Sequence, residues 1–475
     1  MEIKIYLLIT ILSSIIDLIA NKVTIVSPKA LKDQFTWPIK ASYSNFGKIP
    51  YGYTLTGRIY FDPDNFVQDF ACSPITSINI DKKDKADLPP IVMVNRGSCN
   101  FVDKVKNVED MGGHLALIIN NNMDEEASNI IMTDVDRKGE SLNIPGVLIN
   151  FRDGQIIKEF YKANKNKPDV LKSILVEIEF EMEHASNKVE YSIFFSSEMF
   201  SVYETLKQLY HFHKHLRDST TLKPFYVTNS YPTVKDKANC VSNGNFCINP
   251  RYDLNLTDGR EIIYENIRQK CVYNYAYEKG SNHTDLYWMY MENFYDTCYD
   301  PYSVFNGTFS EECSKKVISD LGIDMQNIVK CVLDSFDAKT VEEFKTKNNK
   351  ILTADRDEKN KHNIFLIPSI LINNRTFWGS WKGDNIFEAL CAAYKTKPNV
   401  CYEEGAFTKD ESSEGGLSSG LVALIIISFI VFNVVLFFIC RKYIKRQIAS
   451  KVEDQDINNK INSVVTSYLA LKETK

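Results

Sequence analysis

No Cys-x-x-Cys occurs anywhere in the 475 residues, and neither His-Glu-x-x-His nor a Walker-type phosphate loop is present. The first absence removes the usual low-pKa thiolate with its resolving partner. The others remove common signatures of zinc hydrolysis and nucleotide binding. Positive charge is not in excess either. Fifty-six basic against 61 acidic side chains give a net charge of −5, which argues against phosphate-backbone binding and so against nucleic acid as a partner. With 44% hydrophobic and 25% charged residues, the chain is neither wholly disordered, nor collagenous, nor a polytopic membrane protein. Its length exceeds one average domain and predicts two or three folded units. Eleven cysteines are too few for a sulfur-stapled mini-scaffold yet many for a cytosolic chain, so their positions decide the compartment.

The ends carry the long apolar runs. Residues 1–20 place Lys4 ahead of an apolar stretch from Ile5 to Ile19 that closes on Ala20, the pattern of a cleaved signal peptide. The competing reading, an uncleaved anchor, suffers from shortness and from Ser13, Ser14 and Asp17. Leu421 to Cys440 is twenty uncharged residues followed at once by Arg441, Lys442, Lys445 and Arg446. About 30 Å of helix matches a bilayer core, and the basic cluster puts the tail in the cytosol. Ten cysteines then fall in an oxidising lumen. The eleventh, Cys440, ends the span, where acylation and no modification weigh evenly. Sequons begin at Asn255, Asn282, Asn306 and Asn374, all on the lumenal side. The tail from Arg441 to Lys475 holds no cysteine or histidine, but it does hold Tyr468-Leu469-Ala470-Leu471. In an extended segment, Tyr468 and Leu471 can fill two pockets of a partner, which resembles the tyrosine-based sorting signals read by clathrin adaptors.

Short apolar runs separated by turns fill the N-terminal half. The expected strands are Leu55–Phe61, Ile91–Val94, Leu115–Ile119 and Val147–Asn150, with a helix over Phe101–Met111. A strand thus delivers Arg96-Gly97-Ser98-Cys99 to a helix start, where Gly97 permits a tight turn and free amides can meet carbonyls or a carboxylate. Arg96 to Phe101, Met111-Gly112-Gly113 and Leu115 to Ile119, with Asn143 to Gly146 opening the next strand, resemble the protease-associated domain, a non-catalytic lid or ligand-binding module. Cys72 and Cys99, the two cysteines of this region, are expected to pair, as that resemblance with one extra cysteine also implies. His114, before an apolar strand, reads as structural.

A second unit begins near Val189 with an apolar strand and a helical stretch from Glu198 to His215. It ends in Asn363–Tyr394, read as strand, proline, strand, turn, strand, glycine, helix. That order, with Ile367-Pro368 between strands, resembles a thioredoxin fold. Six cysteines from Cys240 to Cys331 lie between the halves, among helical patterns at Ile262–Tyr277 and Ser310–Leu333, and suggest an inserted disulfide-bonded helical unit. Ser196-Ser197-Glu198-Met199 stands where a redox Cys-x-x-Cys belongs. His211 and His215 share a helix face while His213 points away, with no nearby acidic side chain to complete a zinc set. The reading is therefore of a protein that is not an enzyme, and no metal ligand set is assigned.

Further motifs run along the chain, several of them outside both common domains: Asn45-Phe46-Gly47, Tyr51-Gly52, Thr54-Leu55-x-Gly57, Val189-Glu190-Tyr191, Glu265-Asn266-x-Arg268-Gln269-x-Cys271, Ser319-x-Leu321-Gly322-Ile323-Asp324 and Ile367-Pro368-x-Ile370-x-Ile372-Asn373-Asn374-Arg375. In this order they resemble the vacuolar sorting receptors of plants and protists. The resemblance implies a mixed α/β chain: signal peptide 1–20, protease-associated domain and linker 21–183, thioredoxin-like domain with helical insertion 186–405, stalk 406–418, transmembrane helix 419–440 and cytosolic tail 441–475. It implies a type I receptor of Golgi, trans-Golgi network and endosomal or prevacuolar membranes. Such a receptor binds the sorting peptides of soluble hydrolase precursors, and its tail recruits clathrin adaptors. Cargo main chain is expected on Arg96, Gly97, Ser98 and Cys99, beside a mobile acidic loop of Asp124, Glu125, Glu126, Ala127 and Ser128. Ser98 replaces the aspartate usual in plant members. Epidermal growth factor-like repeats are missing before the membrane, so no cofactor is implied and calcium has no site in the sequence to support it. Two other classes compete: a lid subunit of a partner protease, and a lumenal folding factor that holds clients.

Overall fold

Strands β1 (Asn21–Ser27), β2 (Ile39–Tyr43), β3 (Thr54–Tyr60), β4 (Pro90–Asn95), β5 (Leu115–Ile119), β6 (Gly146–Ile149) and β7 (Leu175–Glu179) close into a barrel in the order β1-β2-β6-β5-β4-β3-β7. The run β3 to β6 is parallel. Its central members show no apolar–polar alternation, and all five residues of β5 are buried, because both faces of these strands are covered. Their inner side chains, such as Met93, Leu117 and Val147, join the barrel interior. Their outer ones, Val92, Val94, Ala116, Ile118 and Leu148, pack under helix α1 (Phe101–Asp110) through Val102, Val105 and Val108. Helix α2 (Phe151–Ala163) follows β6. This computed structural model describes residues 21–402 except 63, 66–67, 81–87, 135–136, 183–184, 232, 234–236, 252–257, 281–282 and 300–308, and beyond them only Asn459 and Asn462. Apart from those two positions, the expected signal peptide, stalk, membrane span and tail lie outside the described residues, as do Cys440, Tyr468, Leu471 and the sequons at Asn255, Asn282 and Asn306. Among the described residues no helix is long and apolar enough to cross a membrane.

The second sheet has the order β13-β12-β8-β9. Strands β8 (Val189–Phe195) and β9 (Thr220–Tyr226) are parallel and joined through α3 (Phe200–Leu216). β12 (Ser369–Ile372) runs antiparallel to β8 and to β13 (Arg375–Thr376). Between β9 and β12 lie a small hairpin, β10 (Cys240–Val241) and β11 (Phe246–Cys247), and the helices α4 (Gly259–Glu278), α5 (Asp285–Phe294), α6 (Glu311–Asp320), α7 (Met325–Ser335) and α8 (Lys350–Lys361), before α9 (Gly383–Ala392) closes the domain. Side-chain caps start several of these helices: Asp258 accepts from the Arg260 amide, Ser310 from Cys313, Asp324 from Gln326 and Asn349 from Leu352. The cysteines pair as Cys240–Cys247, Cys271–Cys331, Cys298–Cys313 and Cys391–Cys401.

The helical pattern at Ser310–Leu333 is two helices, because Gly322 adopts φ +67° and Asp324 caps a fresh start. One expectation changes. The run before Pro368, read as a strand, stays out of the sheet. Ile364 is buried beside Phe194 and Leu371, whereas Phe365 is 82% exposed. Proline has no N–H to give a ladder, and pairing begins at Ser369.

The segment Gly47–Gly52 joins barrel to sheet domain. The Tyr51 hydroxyl accepts from the Trp378 amide at 2.7 Å and donates to the Trp378 carbonyl at 3.2 Å. Lys48 pairs with Glu388 at 2.6 Å, and the Ser380 amide donates to the Gly47 carbonyl at 2.8 Å. Gly52 has φ +80°, and a Cβ there would sit 3.0 Å from that of Ala392, so this close approach needs glycine.

Candidate functional site

Residues Arg96 to Cys99 form a tight turn between β4 and α1. Gly97 has φ +118° and Ser98 +67°, the left-handed side of the map. The Cys99 amide reaches back to the Gly97 carbonyl at 2.9 Å, and a Cys72–Cys99 disulfide ties the turn to the chain after the 68–70 helical turn. A cleft of about 270 Å³ opens here, lined by Arg96, Gly97, Cys99, the start of α1 from Asn100 to Asp103, and Asn121, Thr133, Asp134 and Lys138. Asn100 precedes α1 without a capping side-chain bond, so its side chain leaves the first-turn amides to other acceptors. Asp134 accepts from the Lys138 and Gly139 amides at 3.0 and 2.7 Å.

The acidic loop is anchored rather than loose. Nη1 of Arg96 donates to Asn120 Oδ1 at 2.8 Å and to Glu125 Oε2 at 2.9 Å. Asn120, 1% exposed, also accepts from the Asn121 amide and donates to the carbonyls of Asn122 and Glu125 at 3.1 and 2.8 Å. Its amide group is fully used. Ala127 is buried, its N–H donating to Asn150 Oδ1 at 2.7 Å. Asp124, Glu126 and Ser128 are exposed. The structure thus pairs Arg96, which lines the cleft, with Glu125, while Ser98 and the residues 124–128 are not among the lining groups. Asn120 escaped the sequence reading, although three successive asparagines at the end of an apolar strand mark a loop built on side-chain amides.

Beneath the turn lies a second unread residue. Lys104 is completely buried, with Nζ 2.6 Å from both the Phe70 and the Gly97 carbonyls. Burial pulls its pKa down to about 8, against the raising influence of Asp103 and Asp69. Asn95 and Lys158 in turn contact Asp69, and burial raises the Asp69 pKa.

In the sheet domain, Ser196 to Met199 is sealed by the insertion. Asn266 of α4 accepts from the Ser197 amide at 2.8 Å and donates to the Ser196 hydroxyl at 3.1 Å. Gln269, Tyr203, Glu265, Tyr290 and Arg268 continue a buried polar network. His213 is buried against Trp288, and burial, then the Arg217 charge, pull its pKa down to about 4. The ring is therefore neutral at ordinary pH, and Asp285, 3.5 Å away, is paired instead with Arg217. Among the described residues no group of His, Cys, Asp and Glu is placed to hold a metal ion. Asn374 is exposed at the turn between β12 and β13.

The family model for the vacuolar sorting receptor thioredoxin-like domain matches residues 184–391, and that for the PA domain matches residues 55–157. Vacuolar-sorting receptor 6 of Arabidopsis thaliana is 26% identical over 409 residues, covering 80% of this chain and 60% of that protein. Vacuolar-sorting receptor 1 of Pisum sativum is 24% identical over 421 residues, covering 83% and 63%. A receptor homology region, transmembrane domain- and RING domain-containing protein 1 of Oryza sativa subsp. japonica is 33% identical over 90 residues, 19% of this chain and 15% of that one. The chain thus spans about three fifths of the length of the vacuolar-sorting receptors it matches.

Proposed function

Since the chain belongs to the vacuolar sorting receptor family, we propose that it is a cargo receptor: it binds sorting peptides of soluble hydrolase precursors in the Golgi lumen and carries them to an endosome, lysosome or vacuole. The observation that carries the reading is the cleft at the 96–99 turn, where one partly exposed guanidinium and an uncapped helix start meet an acidic loop. A peptide main chain offers carbonyls and amides at regular spacing, and such a cleft supplies donors of both kinds, backbone and charged.

On this reading Arg96 binds a cargo carbonyl or carboxylate, the turn at Gly97, Ser98 and Cys99 meets the cargo backbone, and the 124–128 loop closes beside it. The second domain contributes binding surface and rigidity rather than chemistry, since serines replace the redox cysteines and Asn266 fills the position. The span at 419–440 anchors the protein as a single-pass type I receptor of Golgi and endosomal membranes. Tyr468 and Leu471 recruit clathrin adaptors, and Asn255, Asn282, Asn306 and Asn374 accept glycans.

The test is made in cells lacking the receptor, by measuring hydrolase precursors in the medium. Re-expressed wild type retains them. Arg96→Ala lets them escape despite correct location, and Tyr468→Ala lets them escape because the receptor collects at the surface. Retention by Arg96→Ala equal to wild type would remove the site from the reading.

A further inference from the structure

Helix α1 turns Val102, Val105 and Val108 inward, and the fourth buried residue on that side is Lys104. An ammonium in such surroundings is costly unless its donors are used, and a leucine or methionine would pack there without that cost. The donors are used on two backbone carbonyls. Nζ lies 2.6 Å from the Gly97 carbonyl and 2.6 Å from the Phe70 carbonyl, 3.5 Å from Cys99 Sγ and 3.7 Å from Cys72 Sγ. The Phe70 ring lies 5.6 Å from it. No ion pair with Lys104 forms among the described residues. The charged groups facing it are Asp103 on its own helix and Asp69 on the 68–70 turn, and Asp69 is shared with Lys158 and Lys162 of α2.

The turn itself has little to hold it. Two successive residues adopt left-handed conformations, and one short-range amide bond, Cys99 to Gly97, spans it. The disulfide fixes the Cys99 end, but it does not orient the Gly97 peptide. The lysine does, by drawing the Gly97 and Phe70 carbonyls to a common inner point.

We infer that Lys104 is the positioning residue of the cargo-docking turn: its buried ammonium grips the Gly97 and Phe70 carbonyls from within and holds the Arg96–Cys99 backbone in the shape that receives the cargo main chain. The inference rests on the cargo-site reading given above. Lys104 touches no ligand and acts through the turn.

The experiment compares the full chain as wild type, Lys104→Met, Val105→Ala and Arg96→Ala in detergent. The probe is the tightest peptide that the wild type selects from a random heptapeptide display library. Val105→Ala thins the same helix packing without touching the turn, and so separates general loosening from loss of the grip. Lys104→Met is expected to raise amide exchange over residues 97–101 well above its level in Val105→Ala, with exchange in β5 unchanged, and to weaken the peptide on the order of tenfold. Val105→Ala keeps the affinity. Turn exchange in Lys104→Met no faster than in Val105→Ala overturns the inference, as does intact peptide affinity in Lys104→Met when Arg96→Ala has lost it. A loosened turn with full affinity in both Lys104→Met and Arg96→Ala leaves the grip standing and removes the cargo site from this turn.

Discussion

Arg96 and Glu125 are ion-paired, Nη1 to Oε2, at 2.9 Å, with side chains 27% and 42% exposed. The guanidinium proposed to meet cargo is thus already engaged by the chain's own acidic loop. A half-exposed pair of this kind contributes about 0–1 kcal/mol, so an incoming carboxylate or carbonyl can displace it. Glu125→Gln is expected to strengthen cargo-peptide binding by up to about fivefold. The check is isothermal titration of one peptide at low and moderate salt, the gain shrinking with added salt. Weaker binding in the variant would mean that Glu125 contacts cargo rather than competing with it.

The contact between Tyr51 and Trp378 predicts a cost at the domain junction. Tyr51 is buried, and burial raises its pKa far out of the physiological range, so the hydroxyl stays neutral and can both accept and donate. Tyr51→Phe leaves the Trp378 amide without its acceptor, which costs roughly 1–3 kcal/mol. Denaturant unfolding of the variant should show that loss, and hydrogen exchange should rise around residues 377–380 and 47–52 together.

His213 gives a pH dependence with a definite sign. Its folded pKa is about 4 against 6.5 for the free side chain. Between these values the unfolded chain binds the proton and the folded one does not. The stability this group provides is therefore complete above pH 6.5 and is lost as pH falls toward 4, on the order of 3 kcal/mol in all. His213→Phe should narrow the difference in unfolding midpoint between pH 7 and pH 5. An unchanged difference would place the acid sensitivity elsewhere.

The disulfides should rank by the chain they enclose. Cys271–Cys331 spans 60 residues and Cys240–Cys247 spans seven. Loop-closure entropy assigns about 4 kcal/mol to the first and about 2.5 to the second. Replacing each pair by serine and comparing melting temperatures tests the order, and equal losses would contradict it.

Much of this architecture is legible in the sequence, because buried parallel strands are continuous apolar runs. β4, β5 and β6 announce themselves in this way, and so does β8. The barrel-closing strands β1, β2 and β7 are harder to read. Their partners are far away in sequence, as with Val23 opposite Ile178, and only tertiary pairing selects them. Hydrophobicity also misleads at 363–367, where an apolar run beside a proline mimics a strand. At the site, Arg96 and the disulfide partners are visible as a motif. Lys104 and Asn120 are not, because a lysine on an amphipathic helix normally reads as solvated, and only the fold shows its amine pointing at two carbonyls. The Tyr51-Gly52 motif likewise has no meaning until Trp378 and Ala392 are brought beside it.

The central claim is that cargo binds at the 96–99 turn, and the most direct measurement is the affinity of one captured hydrolase-precursor peptide for wild type and for Arg96→Ala. Loss of a charged hydrogen-bonding partner predicts weakening by tenfold or more with an unchanged melting temperature. Equal affinity in a folded Arg96→Ala protein would contradict the account.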